Sequence, residues 1–142
     1  INNHLAYEVN LGIGISDNDS SKSNIFINNN SIENMTSLSN HSNSNPGILV
    51  DSQNFEEATL NINNNTLKDI YEGTGIELYI QNLLENPEKL NLQGNDFGNM
   101  NTGVYFRNII YNQELKDTII GDNIFDNEIE VENRVEFEQL DN

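Results

Sequence analysis

A short pattern recurs four times along the chain, and this repeat restricts the possible folds more than any other feature. Each copy begins with a glycine followed by alternating strand-forming residues, as in the runs Gly47–Val50 and Gly75–Leu78. The four glycines, separated by 35, 28 and 28 residues, are Gly12, Gly47, Gly75 and Gly103. Because so short a unit cannot bury an apolar side alone, stacked copies must share one core. The sequence therefore predicts a repeat protein.

A second motif follows each glycine and combines apolar residues with asparagine. It runs from Ile25 to Asn34 in the first copy and from Leu60 to Asp69 in the second. One matching apolar residue within the motif lies 15, 15, 17 and 17 residues after its glycine. The four matching residues are Ile27, Ile62, Leu92 and Ile120. This regular spacing, without a ten-residue segment of helical periodicity, favours short strands joined by polar corners.

The pattern Gly-Ile-x-Val followed by Ile-x-Asn-Asn-x-Ile-x-Asn resembles the right-handed parallel β-helix repeat of pectin-lyase-like proteins, over residues 11–127. The resemblance implies an all-β fold, a right-handed parallel β-helix of about four rungs with the terminal strands as caps or contacts between subunits. A β-sandwich or jelly roll built from successive hairpins is the alternative. The expected division is a single domain over 1–142, with repeats at 11–45, 46–73, 74–101 and 102–127 and a C-terminal strand segment at 128–142.

In this fold, three sets of apolar side chains point inward and stack from one repeat onto the next. β-branched and aromatic residues pack well on a pleated surface, and each contributes roughly 1.5–3 kcal/mol when buried. The first set is Ile13, Ile15, Ile48, Val50, Ile76, Leu78, Val104 and Phe106. The second is Ile27, Ile62, Leu92 and Ile120, and the third is Ile32, Leu67, Phe97 and Phe125.

The repeated asparagines and glycines have structural explanations. Asparagine tolerates the left-handed conformation of a sharp corner, and stacked side-chain amides can form a hydrogen-bonded ladder. Glycine permits a positive φ or a close backbone approach where the chain enters a strand. The expected ladder is Asn30, Asn65, Asn95 and Asn123, with a second one through Asn34, Asp69, Asn99 and Asn127.

The two ends of the chain also alternate between apolar and polar residues. Leu5, Tyr7 and Val9 alternate near the start, and Glu128–Glu138 alternates near the end. In the second segment, Ile129, Val131, Val135 and Phe137 are expected to face the body, with the acidic residues in solvent. Neither end shows an amphipathic helix as a cap. Since an unpaired strand edge is a template for another chain, we expect end-to-end self-association or a place within a longer β-helix.

Composition limits the partners of the chain. Six Lys and Arg against 23 Asp and Glu leave a net charge of -17, which repels nucleic acid and anionic membranes and favours divalent cations or a basic partner. No stretch approaches the roughly 18 apolar residues of a membrane span, so membrane insertion is not expected. Hydrophobic residues make up only 35% of the chain, but their clustering in β-branched groups argues against disorder.

Two acidic groups place oxygen donors close together in the sequence. One contains Asp17 and Asp19, and the other contains Asp122 and Asp126, followed by Glu128. Calcium prefers such hard oxygen ligands, so the four aspartates are candidate calcium ligands, two in each group, with a solvated acidic corner as the alternative for each group. No other cofactor is expected.

Little in the sequence indicates catalysis. His4 and His41 are the only histidines and cysteine is absent, so neither a nucleophilic triad nor a zinc site is expected, and no catalytic residue is assigned. Enzymes of the pectin-lyase-like family use clustered aspartates with basic residues along one face, and here Arg107 matches the position of Tyr79 in the preceding repeat. Any enzymatic activity would be that of a polysaccharide lyase or glycoside hydrolase.

Five Asn-x-Ser/Thr sequons are candidate glycosylation sites, although many such matches arise by chance in an Asn-rich chain. They are Asn18, Asn29, Asn34, Asn40 and Asn64. Together with the start at Ile1, interpreted as a processed terminus or a fragment boundary, they favour an extracellular or cell-surface location. We expect a non-catalytic structural or adhesive protein of a surface layer, sheath, filament or adhesin, with a carbohydrate-active or carbohydrate-binding β-helix as the alternative. Glycans are possible partners.

Overall fold

The protein is built almost entirely from parallel β-strands. The computed structural model describes residues 1–7, 11–17, 24–35, 45–52, 59–80 and 83–138. All strand pairs within these residues are parallel. The predicted all-β class with parallel pairing is therefore confirmed, and the described strands do not form the hairpins of a sandwich or jelly roll.

Most strands are short, but two are long enough to carry two pairing segments each. The strands are β1 (Leu5–Tyr7), β2 (Ile13–Asp17), β3 (Ile25–Asn28), β4 (Ser31–Met35), β5 (Pro46–Ser52), β6 (Leu60–Asn63), β7 (Thr66–Ile80), β8 (Leu90–Gln93), β9 (Asp96–Arg107), β10 (Ile124–Phe125) and β11 (Val135–Phe137). One α-helix, α1 (Gln113–Asp122), and three 3-10 helices, Leu83–Glu85, Pro87–Lys89 and Val131–Asn133, complete the described elements.

The strands form two sheets. The smaller sheet has the order β3-β6-β8, and the larger one contains the other eight strands. The first half of β7 pairs with β4, whereas its second half pairs with β5 after a register shift between Ile70 and Thr74. Both halves of β7 pair with β9, so each long strand bends from one pairing segment into the next.

Equivalent residues of successive repeats lie directly beside one another, as the sequence predicts. Ile27 pairs with Ile62, which pairs with Leu92. Ile32 pairs with Leu67, which pairs with Phe97. A longer column joins Ile13, Ile48, Ile76, Val104 and Val135 across five strands. These side chains are all buried and form one continuous core, in which Phe97 and Phe125 stack with ring centroids 4.9 Å apart.

The repeated glycines are explained by close packing between strands. A Cβ atom at Gly75 would lie 2.6 Å from the carbonyl oxygen of Gly103 and 2.7 Å from the ring of Phe97. Gly12 and Gly47 have the same relationship to the glycine of the following repeat. Of the two roles of glycine considered from the sequence, close backbone approach is the one that applies here, since the described residues include only one glycine with positive φ, Gly94.

The corners use left-handed residues, although not at the predicted position. Asn29 and Asn64 have φ of 56°, and Gly94 takes the same place in the third repeat with φ of 66°. Each precedes the asparagine of the predicted ladder by one residue, so the ladder residues themselves do not make the turn. The second asparagine column does contain left-handed residues, at Asn34, Asp69 and Asn99, whereas Asn127 has no positive φ.

The prediction of a strand around Ile120 is wrong. Residues 113–122 form α1, which begins after the N-cap Asn112, whose Oδ1 accepts a hydrogen bond from the Leu115 N–H at 3.0 Å. Such a cap compensates for the unpaired N–H groups of a first helical turn. Ile119 is buried, whereas Ile120 only packs against the edge of the core. The helix lies beside β8, at the end of the smaller sheet, so this end does have a helical cap.

The alternation at the chain ends is only partly confirmed. At the start, Ala6 is buried and Leu5 is 67% exposed, because β1 pairs with β4 so that Ala6 lies beside Ile32. In the C-terminal segment, the predicted buried residues include Ile129, Val135 and Phe137, and these are buried. Val131 is instead 68% exposed, because it begins a 3-10 helix that breaks the strand periodicity. Val9 lies outside the described residues.

Candidate functional site

A row of buried side-chain amides connects four repeats and confirms the predicted ladder. Asn30 donates from Nδ2 to the Oδ1 of Asn65 at 2.9 Å, Asn65 to Asn95 at 2.9 Å, and Asn95 to Asn123 at 2.9 Å. The backbone N–H of each donor residue is directed at the same oxygen, at 2.9–3.0 Å. The two interior asparagines of the ladder, Asn65 and Asn95, also donate from Nδ2 to a backbone carbonyl of the preceding repeat.

The ladder ends differently at its two sides. At the first repeat, His4 occupies the ladder position and donates its backbone N–H to the Oδ1 of Asn30 at 2.8 Å. At the last repeat, the Nδ2 of Asn123 donates to the carbonyl oxygen of Ile119, inside α1, at 2.8 Å. A carbonyl of the helix therefore replaces the amide that a further repeat would supply.

The candidate calcium residues lie in separate parts of the protein. Asp17 ends β2, Asp122 ends α1, and Asp126 follows β10, while Asp19 lies outside the described residues. Both carboxylate oxygens of Asp126 already accept backbone hydrogen bonds, from Asn99 at 3.1 Å and Glu128 at 2.9 Å. Within the described part of the chain, no group of three or more His, Cys, Asp or Glu residues is arranged to hold a metal ion. The calcium site stays a prediction.

The described sequon asparagines occupy corners. Asn29, Asn34 and Asn64 all have positive φ, a conformation that asparagine tolerates better than most residues. Asn29 and Asn64 are exposed, and the Nδ2 of Asn29 donates to the Oδ1 of Asn2 at 2.9 Å. Asn18 and Asn40 lie outside the described residues. The positive φ explains on structural grounds why asparagine occurs at these positions. Glycosylation stays a prediction.

A cleft on the outer face of β9 and β11 is the second candidate site. Two adjoining cavities of about 340 and 420 Å³ are both lined by Tyr105, Glu136 and Glu138. We call the two cavities together the Tyr105 cleft. Parallel pairing positions these groups, because Tyr105 lies directly beside Glu136 in the register of β9 and β11. The other lining residues are Glu72, Gly73, Thr74, Asn101, Thr102, Arg107, Tyr111, Lys116, Glu132, Val135 and Phe137.

Polar contacts hold the walls of the cleft in place. The carboxylate of Glu77, only 2% exposed, accepts from the Nε of Arg107 at 3.0 Å. Thr102 donates from Oγ1 to Glu136 at 3.1 Å, and the backbone N–H of Asn108 donates to Glu138 at 3.0 Å. The predicted proximity of Arg107 and Tyr79 is confirmed by their pairing in β9 and β7. The cleft is therefore a preformed surface with oriented carboxylates.

The Tyr105 phenol is held in its neutral form. Its burial raises the pKa above the ordinary value for tyrosine, and the negative charges of Glu138 and Glu136 raise it further, against a smaller opposing influence from Arg107. The hydroxyl keeps its proton and can donate a hydrogen bond at neutral pH, as an ordinary tyrosine also does, and the ring adds an apolar surface. Such a combination suits a polyhydroxylated ligand, whose hydroxyls both donate and accept.

Sequence reasoning did not identify this cleft. Arg107 was singled out only as a basic residue within a repeat, and the acidic residues of the last strand were expected to face solvent, but the approach of Tyr105 to Glu136 was not predicted. The sequence contains a signal for the approach of Tyr105 to Glu136. Tyr105 follows Gly103 by two residues, and Glu136 follows Arg134 by the same number. Arg134 takes the place of the repeat glycine in the last strand, and its carbonyl oxygen lies against Gly103.

Comparison with protein-family models, with curated proteins and with solved structures finds no match for this chain. The helices in the described part of the chain include none that is long and apolar enough to cross a membrane. The functional interpretation therefore depends on the amide ladder, the core columns and the Tyr105 cleft.

Proposed function

We propose that the two parallel sheets are the walls of a right-handed parallel β-helix, and that the protein is a non-catalytic extracellular structural or adhesive module of a surface layer, sheath, filament or adhesin. The single observation that carries this proposal is the ladder from Asn30 to Asn123. Its amides are buried and mutually hydrogen-bonded, and such a network strongly favours one arrangement of the repeats.

The distribution of polar groups agrees with a structural role. The buried side-chain amides of the ladder are hydrogen-bonded between repeats, while the net charge of -17 keeps the outer surface well hydrated. Along the smaller sheet, the outward-facing Asn28 and Asn63 also bond to the repeat that follows, each accepting a backbone N–H at 3.1 Å. Such repetition inside and outside the core supports a rigid spacer that presents its surface to partners.

Immunogold electron microscopy of the native material, with an antibody against this chain, tests the proposal. We expect label on the cell surface or on extracellular assemblies. Label confined to the cell interior, without association with any assembly, would contradict it. Far-UV circular dichroism of the same material should show β-structure.

The Tyr105 cleft favours carbohydrate binding as a second candidate function. A glycan array tests it, with Tyr105→Ala as the binding-defective variant and Tyr71→Ala as the control, because Tyr71 is 70% exposed and is not a lining residue of the cleft. We expect the first variant to lose at least tenfold in affinity and the control to bind as the native chain does. Assays for reducing ends and for unsaturated products would show whether any bound glycan is also cleaved. Absence of binding across the array would remove this candidate.

A further inference from the structure

The Tyr105 cleft contains more negative than positive groups. Its lining side chains include four carboxylates and two cations, which are Glu72, Glu132, Glu136, Glu138, Arg107 and Lys116. One of the two cations is already paired outside this set, since the Nε of Arg107 lies 3.0 Å from Oε1 of Glu77, whose side chain is 2% exposed. The cleft therefore presents a negative surface that attracts cations and repels anions.

The ionisation of Tyr105 responds to the same balance of charges. Burial is the largest influence that raises the pKa of the phenol, and the charges of Glu138 and Glu136 raise it further. Arg107 lowers the pKa, but by less than either of these two carboxylates raises it. A cation bound beside the ring would thus be stabilised by the carboxylates and by the negative face of the ring itself.

The two carboxylates beside Tyr105 are held apart from each other. Glu136 accepts its hydrogen bond from Thr102, three residues before Tyr105 on β9, whereas Glu138 accepts from the backbone N–H of Asn108, three residues after it. The two side chains therefore reach toward opposite ends of this segment, with Tyr105 between them. A calcium ion requires oxygen ligands that converge on one point, so this arrangement suits an extended organic cation better.

The position of the cleft on the sheet favours a sugar over a peptide. β9 pairs with β7 on one side and with β11 on the other along Val104–Phe106, so its backbone groups are already used. A peptide that adds a strand needs a free sheet edge, and on this face it would have only side chains to contact. The two cavities, of about 340 and 420 Å³, are each in the size range of small-ligand sites and meet at a shared wall. They suit a ligand of linked, hydroxyl-bearing units.

We propose that the Tyr105 cleft binds an oligosaccharide of amino sugars whose amino groups are free and protonated. In this complex the ammonium groups lie at the carboxylates of Glu136 and Glu138, and a sugar ring packs against Tyr105. The inference rests on the carbohydrate-binding candidate of the proposed function and specifies the class of sugar. It also explains the role of Glu77, which neutralises Arg107 and so leaves the cleft attractive to a cation.

Calorimetric titration with two matched tetrasaccharides tests the requirement for positive charge. One is a tetramer of glucosamine, and the other is the same tetramer with every amino group acetylated, so that the two differ in charge but not in the sugar backbone. At mildly acidic pH the amino groups are protonated and the carboxylates stay ionised. We expect the native chain to bind the charged tetramer at least tenfold more tightly. Equal affinity for both tetramers would overturn the inference.

Variants that each remove one charge separate the cleft from the charge of the whole chain. Glu136→Gln should weaken binding of the charged tetramer at least fivefold, whereas Glu88→Gln, at an exposed position outside the cleft lining, should bind as the native chain does. Lys116→Gln should strengthen binding, because it removes a cation from the second cavity, and Lys89→Gln outside the cleft should not. Equal weakening by the two glutamate variants would show attraction to the overall charge alone and overturn the site.

Two further results distinguish this inference from the proposed function. If neutral sugars of the glycan array bind and the charged tetramer binds no better, the inference fails while the carbohydrate-binding candidate stands. An oligolysine of the same charge that binds the native chain equally tightly, and is weakened equally by Glu136→Gln, would indicate a basic peptide and overturn the choice of an amino sugar. Immunogold labelling of native material is independent of these titrations, so the structural function is tested separately.

Discussion

The Oδ1 of Asn123 accepts two hydrogen bonds from Asn95, one from the backbone N–H and one from Nδ2, both at 2.9 Å. Asn95 in turn accepts the same pair from Asn65. An interior asparagine of the ladder thus satisfies both N–H groups and both lone pairs of its side chain without water. Each amide depends on the presence of its neighbours.

Replacing Asn95 with leucine should therefore destabilise the protein strongly. The change removes the acceptor for two donors of Asn65 and a donor to Asn123, and unsatisfied buried groups cost about 1–3 kcal/mol each. We expect the free energy of unfolding to fall by about 3 kcal/mol or more in urea denaturation. Asn91→Ala, on the outer face of β8, is the control and should change it by about 0.5 kcal/mol or less. Equal effects from both variants would contradict the ladder.

Adding a single methyl group at Gly75 should also destabilise the chain. The new Cβ would overlap the carbonyl oxygen of Gly103 at 2.6 Å, and the strands would have to separate. We expect Gly75→Ala to lower the free energy of unfolding by about 1–3 kcal/mol. Gly121→Ala is the matched control, since no atom lies within 4 Å of the added Cβ and alanine favours the helix by about 0.5–1 kcal/mol. A thermal melt in which both variants shift the same way would count against the predicted close approach.

Alkaline pH should reveal the raised pKa of Tyr105. Because the folded protein holds this phenolic proton more tightly than the unfolded chain does, stability is full below the ordinary tyrosine pKa of about 10 and falls as pH rises through the folded value. Tyr105→Phe should remove the share of this alkaline loss of stability that comes from ionisation of the Tyr105 phenol. Ultraviolet absorbance of the tyrosinate, compared between the two proteins, should assign to Tyr105 a transition above that of an exposed tyrosine. A transition at or below the ordinary value would refute the burial argument.

Removing the cap of α1 should destabilise the end of the smaller sheet that this helix covers. Asn112→Ala loses the hydrogen bond to the Leu115 N–H and should cost about 1 kcal/mol. Hydrogen exchange should then accelerate at Gly94, whose N–H donates to the carbonyl of Asp122 at the end of the helix at 2.7 Å. Thr118→Ala, in the helix interior, serves as the control. Unchanged exchange at Gly94 would show that α1 does not protect this edge.

The inward columns could be predicted because stacking imposes the same requirement on every repeat. Ile27, Ile62 and Leu92 pair only if the register is kept, and the repeated order of apolar residues and asparagines around them indicates that register although the repeats differ in length. The exceptions lie in the first and last repeats, whose outer strands pair on one side only among the described residues. There local preferences decide, so that the segment around Ile120 forms a capped helix and Val131 begins a 3-10 turn.

The candidate site was harder to predict for a related reason. The cleft around Tyr105 depends on outward side chains, which differ between repeats and therefore leave no periodic signal. Glu77 lies directly beside Tyr105 in the register of β7 and β9, and its contact with Arg107, two residues further along β9, is a diagonal one that the repeat pattern does not predict. Inner positions follow a rule shared by all repeats, whereas outer positions carry the individual features of each one.

The glycine column gives this architecture a modular length. Gly47, Gly75 and Gly103 each present the same small surface to the following carbonyl, so the junctions between interior repeats are interchangeable. A duplicated copy of residues 46–73 could therefore be inserted between them without altering helix α1 at the end of the smaller sheet. Gene duplication could lengthen the stack of strands in steps of one strand separation, about 4.8 Å each.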